Sequence, residues 1–309
     1  MNLINNFDEL IEHVKKIESK KVAVAAANND AALHAIIDAK KIKVADSILV
    51  GDAVEIEKKL QSFGMEKPFP FEIINEKDDR KTVEIAISLI KEKKADMLLK
   101  GKVDTSTLMK AVLNKEAGLR TGGVLSDAFI FQFDEKQSDN KLIIISDGGL
   151  NLNPDLSQKI EIIKNSVEVA HALGNTLPKV ALLSAAETVN PNLPNTLDAA
   201  IISKMNERGQ IKGCLIDGPL ALDNAISPEA AKEKGIKSQV AGYADIIITG
   251  NIETANALAK GTTYFAKLRL GHVVMGAKAP ILIPSRSDTF DAKLLSICLG
   301  VMVCNNVHQ

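Results

Sequence analysis

Short apolar runs alternate with amphipathic stretches along most of this chain, and no other feature constrains its fold as tightly. Val22–Ala26, Ser47–Val50, Phe71–Ile74 and Met97–Leu99 read as buried strands. Between them, 30–39, 52–63 and 82–93 read as helices with one apolar face, and a first helix is expected over 6–19, with Phe7, Leu10, Ile11, Val14 and Ile17 on one side. A strand that must reach a parallel neighbour needs such a crossover helix. The rhythm therefore predicts βαβ units and an α/β fold with mainly parallel sheets.

The rhythm breaks once, after Gly122–Gly123. Val124–Phe133 and Leu142–Ser146 are two strands with no helix between them, expected to pair antiparallel across the turn DEKQSDN. It then resumes with helices over 156–173 and 197–205, and with strands at Val180–Leu183, Cys214–Ile216, Ala244–Ile248, Val273–Met275 and Ile281–Ile283. A final helix is expected from Phe290 to Val303. With 309 residues there is material for two lobes. We expect 1–122, completed by 278–309, to form one α/β domain and 123–277 the other, with the active site in the cleft between them.

Several function classes are excluded by composition and motif. A net charge of −1 provides no basic field for nucleic acid. No apolar run is long enough to span a bilayer, and the start MNLINNFDELIEHVKK lacks the basic head and continuous apolar core of a signal peptide, so a cytoplasmic protein is expected. Cys214, Cys298 and Cys304 are scattered in apolar surroundings and read as reduced core thiols. His13, His34, His171, His272 and His308 neither pair at metal-ligand spacing nor cluster with cysteine, so no metal site is expected. There is no GxSxG elbow, no GxxxxGK(S/T) loop and no GxGxxG after the first strand.

Polar residues gather where the apolar strands stop: Asn28, Lys100, Ser184, Asp217, Asn251 and Ser285. In a parallel sheet these ends share an edge, which is where α/β proteins bind ligands. The richest end is APILIPSRSDTFDA, where Pro284 stops the strand and Ser285, Arg286, Ser287, Asp288 and Thr289 follow. Arg286 offers a planar fork of donors for phosphate or carboxylate, and the serines offer hydroxyls. Asp288 and Asp291 offer proton acceptors. In KGKVDTSTLMKAVLNKEAGLRTGG, Lys102, Thr105 and Thr107 could present charge and hydroxyls to an anion, and Asp104, Thr105 and Ser106 are each suitable caps for a helix to Asn114. Arginine is scarce, and Arg120 and Arg286 are the two in Gly-, Ser- or Thr-rich loops. Asn251, Glu253 and Asn256 either edge a site or cap the helix that follows them.

The stretches KGKVDTSTLMKAVLNKEAGLRTG, NPNLPNTLDAAIISKMNERGQIKGCLIDGPLALDNAIS, ADIIITGNIETANALAK and APILIPSRSDT resemble the phosphate acetyl/butyryltransferases, most of all their butyryl branch. The resemblance covers nearly the whole chain. It implies two lobes of the isocitrate/isopropylmalate dehydrogenase-like type, a homodimer, and interconversion of acyl-CoA and phosphate with acyl phosphate and coenzyme A through a ternary complex, without a metal or other cofactor. It assigns Ser285 and Arg286 to the phosphate group and matches Asp217 to the family's strand-end aspartate. The acetyl branch has an aspartate six positions after the arginine, proposed to take the thiol proton; here that position is Ala292, with Asp291 beside it and Asp288 placed as in the butyryl branch. The alternatives are an acyl-carrier-protein phosphate acyltransferase, a dehydrogenase of related fold, and a non-catalytic binding protein for coenzyme A or another small molecule.

Overall fold

In a computed structural model of the protein, residues 2–116, 119–133, 141–285 and 288–307 are described. In chain order the elements are α1 (Phe7–Val14), β1 (Lys20–Ala25), α2 (Asp30–Lys41), β2 (Ala45–Gly51), α3 (Ala53–Ser62), β3 (Glu72–Asn75), α4 (Asp79–Lys91), β4 (Met97–Lys100) and α5 (Thr105–Val112). Then come β5 (Ser126–Phe133), β6 (Lys141–Ser146), α6 (Leu156–Ala172), β7 (Lys179–Leu183), α7 (Pro194–Glu207), β8 (Leu215–Leu220), α8 (Leu222–Ile226) and α9 (Pro228–Glu233). The chain finishes with β9 (Ile246–Ile248), α10 (Ile252–Tyr264), β10 (Leu270–Met275), β11 (Ile281–Leu282) and α11 (Phe290–Val307).

Contacts divide the chain into one unit of Asp8–Gly123 with Gly271–Gln309 and another of Met1–Phe7 with Val124–Leu270. The return to the first unit falls at Gly271, where the sequence places it at residue 278, because β10 is the pairing partner of β11. The first residues join the middle segment through Ile4 N–H, which donates to Leu173 O at 2.9 Å.

In the unit of Asp8–Gly123 with Gly271–Gln309, the strand order is β3-β2-β1-β4-β11-β10. All neighbours are parallel except β10 with β11, which are antiparallel with Val274 opposite Ile281. The strand sequences explain why they are central: in β4 every residue is buried, as expected of a strand covered on both faces. The helices begin where a side chain can take the free amides of the first turn. Asn29 caps α2, Asp52 caps α3 and Asp78 caps α4. α11 is apolar nearly all round and buried along most of its length, where it packs on α2 and β11.

In the other unit the order is β5-β6-β9-β7-β8, with β5 and β6 antiparallel as expected and the rest parallel. The DEKQSDN turn lies outside the described residues. Phe129, Phe131, Ile143, Ile145 and Ile247 centre its core. Asp155 and Gln158 close a reciprocal cap at the start of α6. Two details depart from the sequence reading. β8 does not stop at Ile216 but runs through Asp217, Gly218 and Pro219 to Leu220, with Asp217 opposite Ala181. Two short helices, α8 and α9, follow it; their five and six residues are too few to show a face.

Candidate active site

The parallel register aligns strand ends that lie far apart in sequence. β11 pairs with β4 so that Ile281 faces Leu98 and Leu282 faces Leu99. The turn that leaves β11 through Ser285 therefore emerges at the same sheet edge as Lys100, Gly101 and Lys102 at the end of β4. β1 extends this edge, since Ala25 is opposite Lys100, and so Asn28 and Asn29 rise next to the β4 end. The two backbones touch: Gly101 N–H donates to Ala25 O and Lys102 N–H to Ala26 O, both at 2.8 Å.

A cavity of about 1000 Å³ opens at this edge, lined among others by Asn28, Asn29, Lys58, Arg80, Lys102 and Thr107. Its four cations, Lys58, Lys59, Arg80 and Lys102, are matched by Asp30, Glu55, Asp79 and Asp104. Lys59 pairs with Asp30, and Asn28 Nδ2 donates to Glu55 at 2.7 Å. The lining is thus polar without a net field. α5 starts at its rim with Asp104 as the cap residue, and no side-chain cap bond to the helix amides is made there. Thr107 is half-buried in the first turn, while Lys102 and Thr105 are exposed.

The turn after β11 is fastened at Asp288. Its Oδ2 accepts from Ser285 N–H at 2.7 Å, and its own N–H donates back to Ser285 O at 3.2 Å. His272 Nε2 lies 3.5 Å from the same Oδ2, an electrostatic contact between two buried side chains. Lys293, 3% exposed, donates from Nζ to Asp288 O at 2.6 Å. Burial pulls the Lys293 ammonium below the usual lysine range, and Asp288 opposes that shift. Asp291 is exposed in the first turn of α11. Arg286 and Ser287 lie outside the described residues.

Arg120 is placed elsewhere. Its backbone bridges Ala277, in the turn that precedes β11, at the amino end of that strand and so on the opposite edge from Ser285.

In the other unit a second polar cluster forms where β6 and β9 end. Asp147, buried, accepts from the amides of Asp127, Gly149 and Asn151 at 3.0, 3.1 and 2.9 Å. Burial pushes the Asp147 carboxyl above its ordinary range; the amide bonds oppose this, and the Asp127 carboxylate beside it adds to it. Asn256 Nδ2 donates to Gly148 O at 2.9 Å, so this residue joins the cluster. Asn251 is the cap of α10, its Oδ1 accepting from Thr254 N–H at 2.9 Å, and Glu253 is exposed in that first turn. Asp217, inside β8, turns back on its own strand and accepts from Gly218 N–H at 2.8 Å. Among the described residues, no three His, Cys, Asp or Glu side chains converge as a metal site, and no helix is long and apolar enough to cross a membrane.

The comparisons with known proteins bear on both units. Residues 79–301 match the family model described as phosphate acetyl/butaryl transferase. The chain belongs to this family. It is 47% identical over 304 residues to the phosphate butyryltransferase of Clostridium acetobutylicum, covering 98% of this chain and all of that one. It is 40% identical to the phosphate acetyltransferase of Thermotoga maritima over 96% of this chain and 99% of the other. Among solved structures, a branched-chain phosphotransacylase from Enterococcus faecalis V583 superposes with a TM-score of 0.80 at 28% identity, over 92% of this chain and 99% of that one.

Membership places the chain among acyltransferases and gives the clustered strand ends a reason to exist. Sequence reasoning set His272 aside with the other histidines and passed over Lys293, Asp127, Asp147 and Asn151. A signal was present for two of these groups. LGHVVM is an apolar strand with one polar residue, and SDGGLN follows an apolar strand directly.

Proposed function

We propose that this protein is a phosphate butyryltransferase-like enzyme that interconverts acyl-CoA and phosphate with acyl phosphate and coenzyme A. The observation that carries the reading is the parallel pairing of β11 with β4, which brings the Ser285 turn to the edge where Lys102 and Thr107 line a cavity. Family membership supplies the reaction class.

The chemistry sets three demands. Phosphate must be partly stripped of water and aimed at the thioester carbonyl. Ser285 and Arg286, with Lys102 and Thr107, are assigned to hold it, a bidentate guanidinium being the strongest such contact. A phosphate oxygen then adds to the carbonyl carbon, and the carbonyl oxygen takes the charge of a tetrahedral intermediate, which needs donors facing it. Collapse breaks the C–S bond, and the thiolate leaves with a proton; the reverse reaction must remove that proton, for which a carboxylate of the SRSDTFDA turn is assigned. No electron changes hands and phosphate is itself the nucleophile, so no metal or organic cofactor is assigned. We take the two units to be lobes of the isocitrate/isopropylmalate dehydrogenase-like type, and the enzyme to be a cytoplasmic homodimer.

The test is release of free thiol from acetyl-, butyryl- and branched acyl-CoAs, with and without phosphate. Phosphate-dependent release favouring four-carbon chains is expected. Folded protein that releases no thiol from any acyl-CoA would sink the reading. Light scattering checks the dimer.

A further inference from the structure

The strongest unassigned feature is the group around Asp288, which joins three elements of one unit. Continuing the antiparallel register of Val274 with Ile281 by two residues sets His272 of β10 opposite Ile283, the residue before Pro284. From there its imidazole meets Asp288 Oδ2 at 3.5 Å. Lys293, from the first turns of α11, holds the Asp288 carbonyl at 2.6 Å. Ser296, one turn further, accepts from His272 N–H at 3.0 Å and donates to Ala292 O at 2.8 Å, tying β10 to the same helix. The carboxylate itself closes the turn by accepting from Ser285 N–H at 2.7 Å.

A general base is placed to reach the thiol, whereas a bracing carboxylate is placed to hold its own backbone. Asp288 spends Oδ2 on the turn's own amide, in a buried setting with a histidine against the same atom. We propose that Asp288, with His272 and Lys293, is a positioning residue that fixes Ser285 for phosphate, rather than the base for the thiol. Asp291, in the first turn of α11, is then the other carboxylate to test for that role. The inference rests on the phosphate acyltransferase reading for its kinetic arm only.

The experiment compares D288A, D288N and H272Q with the wild type. Asn keeps an acceptor for Ser285 N–H and loses the charge, so it separates geometry from proton transfer. D288A is expected to raise KM for phosphate about 10- to 100-fold, the scale of a lost hydrogen bond to a charged group, with KM for acyl-CoA changed by less than about 3-fold. D288N should recover most of that loss, and H272Q should fall between. In the acyl phosphate plus coenzyme A direction the pH profiles of the variants should run parallel to the wild type. A loss confined to kcat in D288A and D288N, shrinking as pH rises toward the thiol pKa, would make Asp288 the base and overturn the proposal.

Hydrogen–deuterium exchange over 282–292 reads the brace without reference to turnover. D288A should speed exchange at the Ser285 amide at least about tenfold, the loss of its acceptor being the cause. Unchanged exchange overturns the proposal, whether or not the wild type turns over acyl-CoA. Absence of phosphate-dependent release in the wild type would instead count against the enzyme reading.

Discussion

Gly101 sits where β4 leaves the sheet, and a methyl group there has no room. A Cβ on Gly101 would stand 2.6 Å from Ala25 O and closer still to Ala26 O. Both obstacles are backbone, not the end of a flexible side chain. Against ordinary contact of ~3.4 Å, the ends of β1 and β4 must part by at least ~0.8 Å, breaking or stretching the bonds of Gly101 N–H and Lys102 N–H to Ala25 and Ala26. Overpacking of this kind costs about 3 kcal/mol, the upper end of its usual range because backbone must move. For 309 residues melting together, an unfolding entropy of ~0.65 kcal/mol/K turns this into a fall in Tm of about 5 °C. The fall is larger if the affected unit melts by itself. The same shift displaces Asn28 and Asn29 from Lys102 and Thr107, and misplacements of this size cost up to about 100-fold in rate. Gly101→Ala should therefore lower Tm by about 5 °C and kcat/KM for phosphate by about 10- to 100-fold, read by calorimetry and thiol release. Gly261→Ala is the control: it lies inside α10, its Cβ would meet only Phe265 at 4.0 Å, and the change should raise stability by about 0.5–1 kcal/mol. If Gly101→Ala matches the wild type in both readings, the close approach of the two strand ends is not what shapes this edge.

Arg286→Ala should lower turnover by on the order of 100-fold or more, the scale of a lost charged transition-state contact; near-native turnover removes the arginine from the mechanism. Burial pushes the Cys214 thiol up to about 11 and the Cys304 thiol to about 12. Their thiolate fractions at pH 8 are then on the order of 10⁻³ and 10⁻⁴, and neither should react with an aromatic disulfide reagent until the protein is unfolded. Rapid labelling of either in native protein would contradict the burial. Asp147 holds its proton more tightly folded than unfolded, so between the ordinary aspartate value of about 4 and its raised folded value the native state binds more protons. Stability from this group is present below that window and is lost as pH rises through it. Urea unfolding of Asp147→Asn against wild type should thus move in the variant's favour from pH 4 to pH 7, and a difference independent of pH would show that Asp147 titrates normally.

The βα rhythm was readable because its causes are local. Asn29, Asp52 and Asp78 each stand just before the helix they cap, and the strands are short apolar runs. What could not be read was pairing. The sequence does not say that β10 lies antiparallel to β11, so nothing in it directs His272 toward Asp288, and a single histidine in an apolar strand carries no sign of its partner. Arg120 looked suited to an anion because its loop is polar; the bridge to Ala277 puts its backbone at the amino end of β11, away from Ser285. Asp217 looked terminal because Gly218 and Pro219 follow it, yet β8 runs on through both. Asn251 could serve a site or a helix, and the bond from Thr254 N–H places it as the cap.

The position of β11 also orders events as the chain is made. Residues 124–270 fall in one unit and, apart from the first seven residues, complete it, so that unit has all its strands once Leu270 has emerged. Residues 8–123 do not share this advantage: β4 has β1 on one side and must wait for β11 on the other, and α2 waits for α11. Until residues 281–307 arrive, the nascent chain carries an open strand edge and an uncovered apolar helix face, the two features that invite wrong pairing. A ribosome stalled in the last tenth of the message would therefore leave one finished unit and one aggregation-prone half, and the burden on chaperones should rise sharply for truncations that end before Ile281.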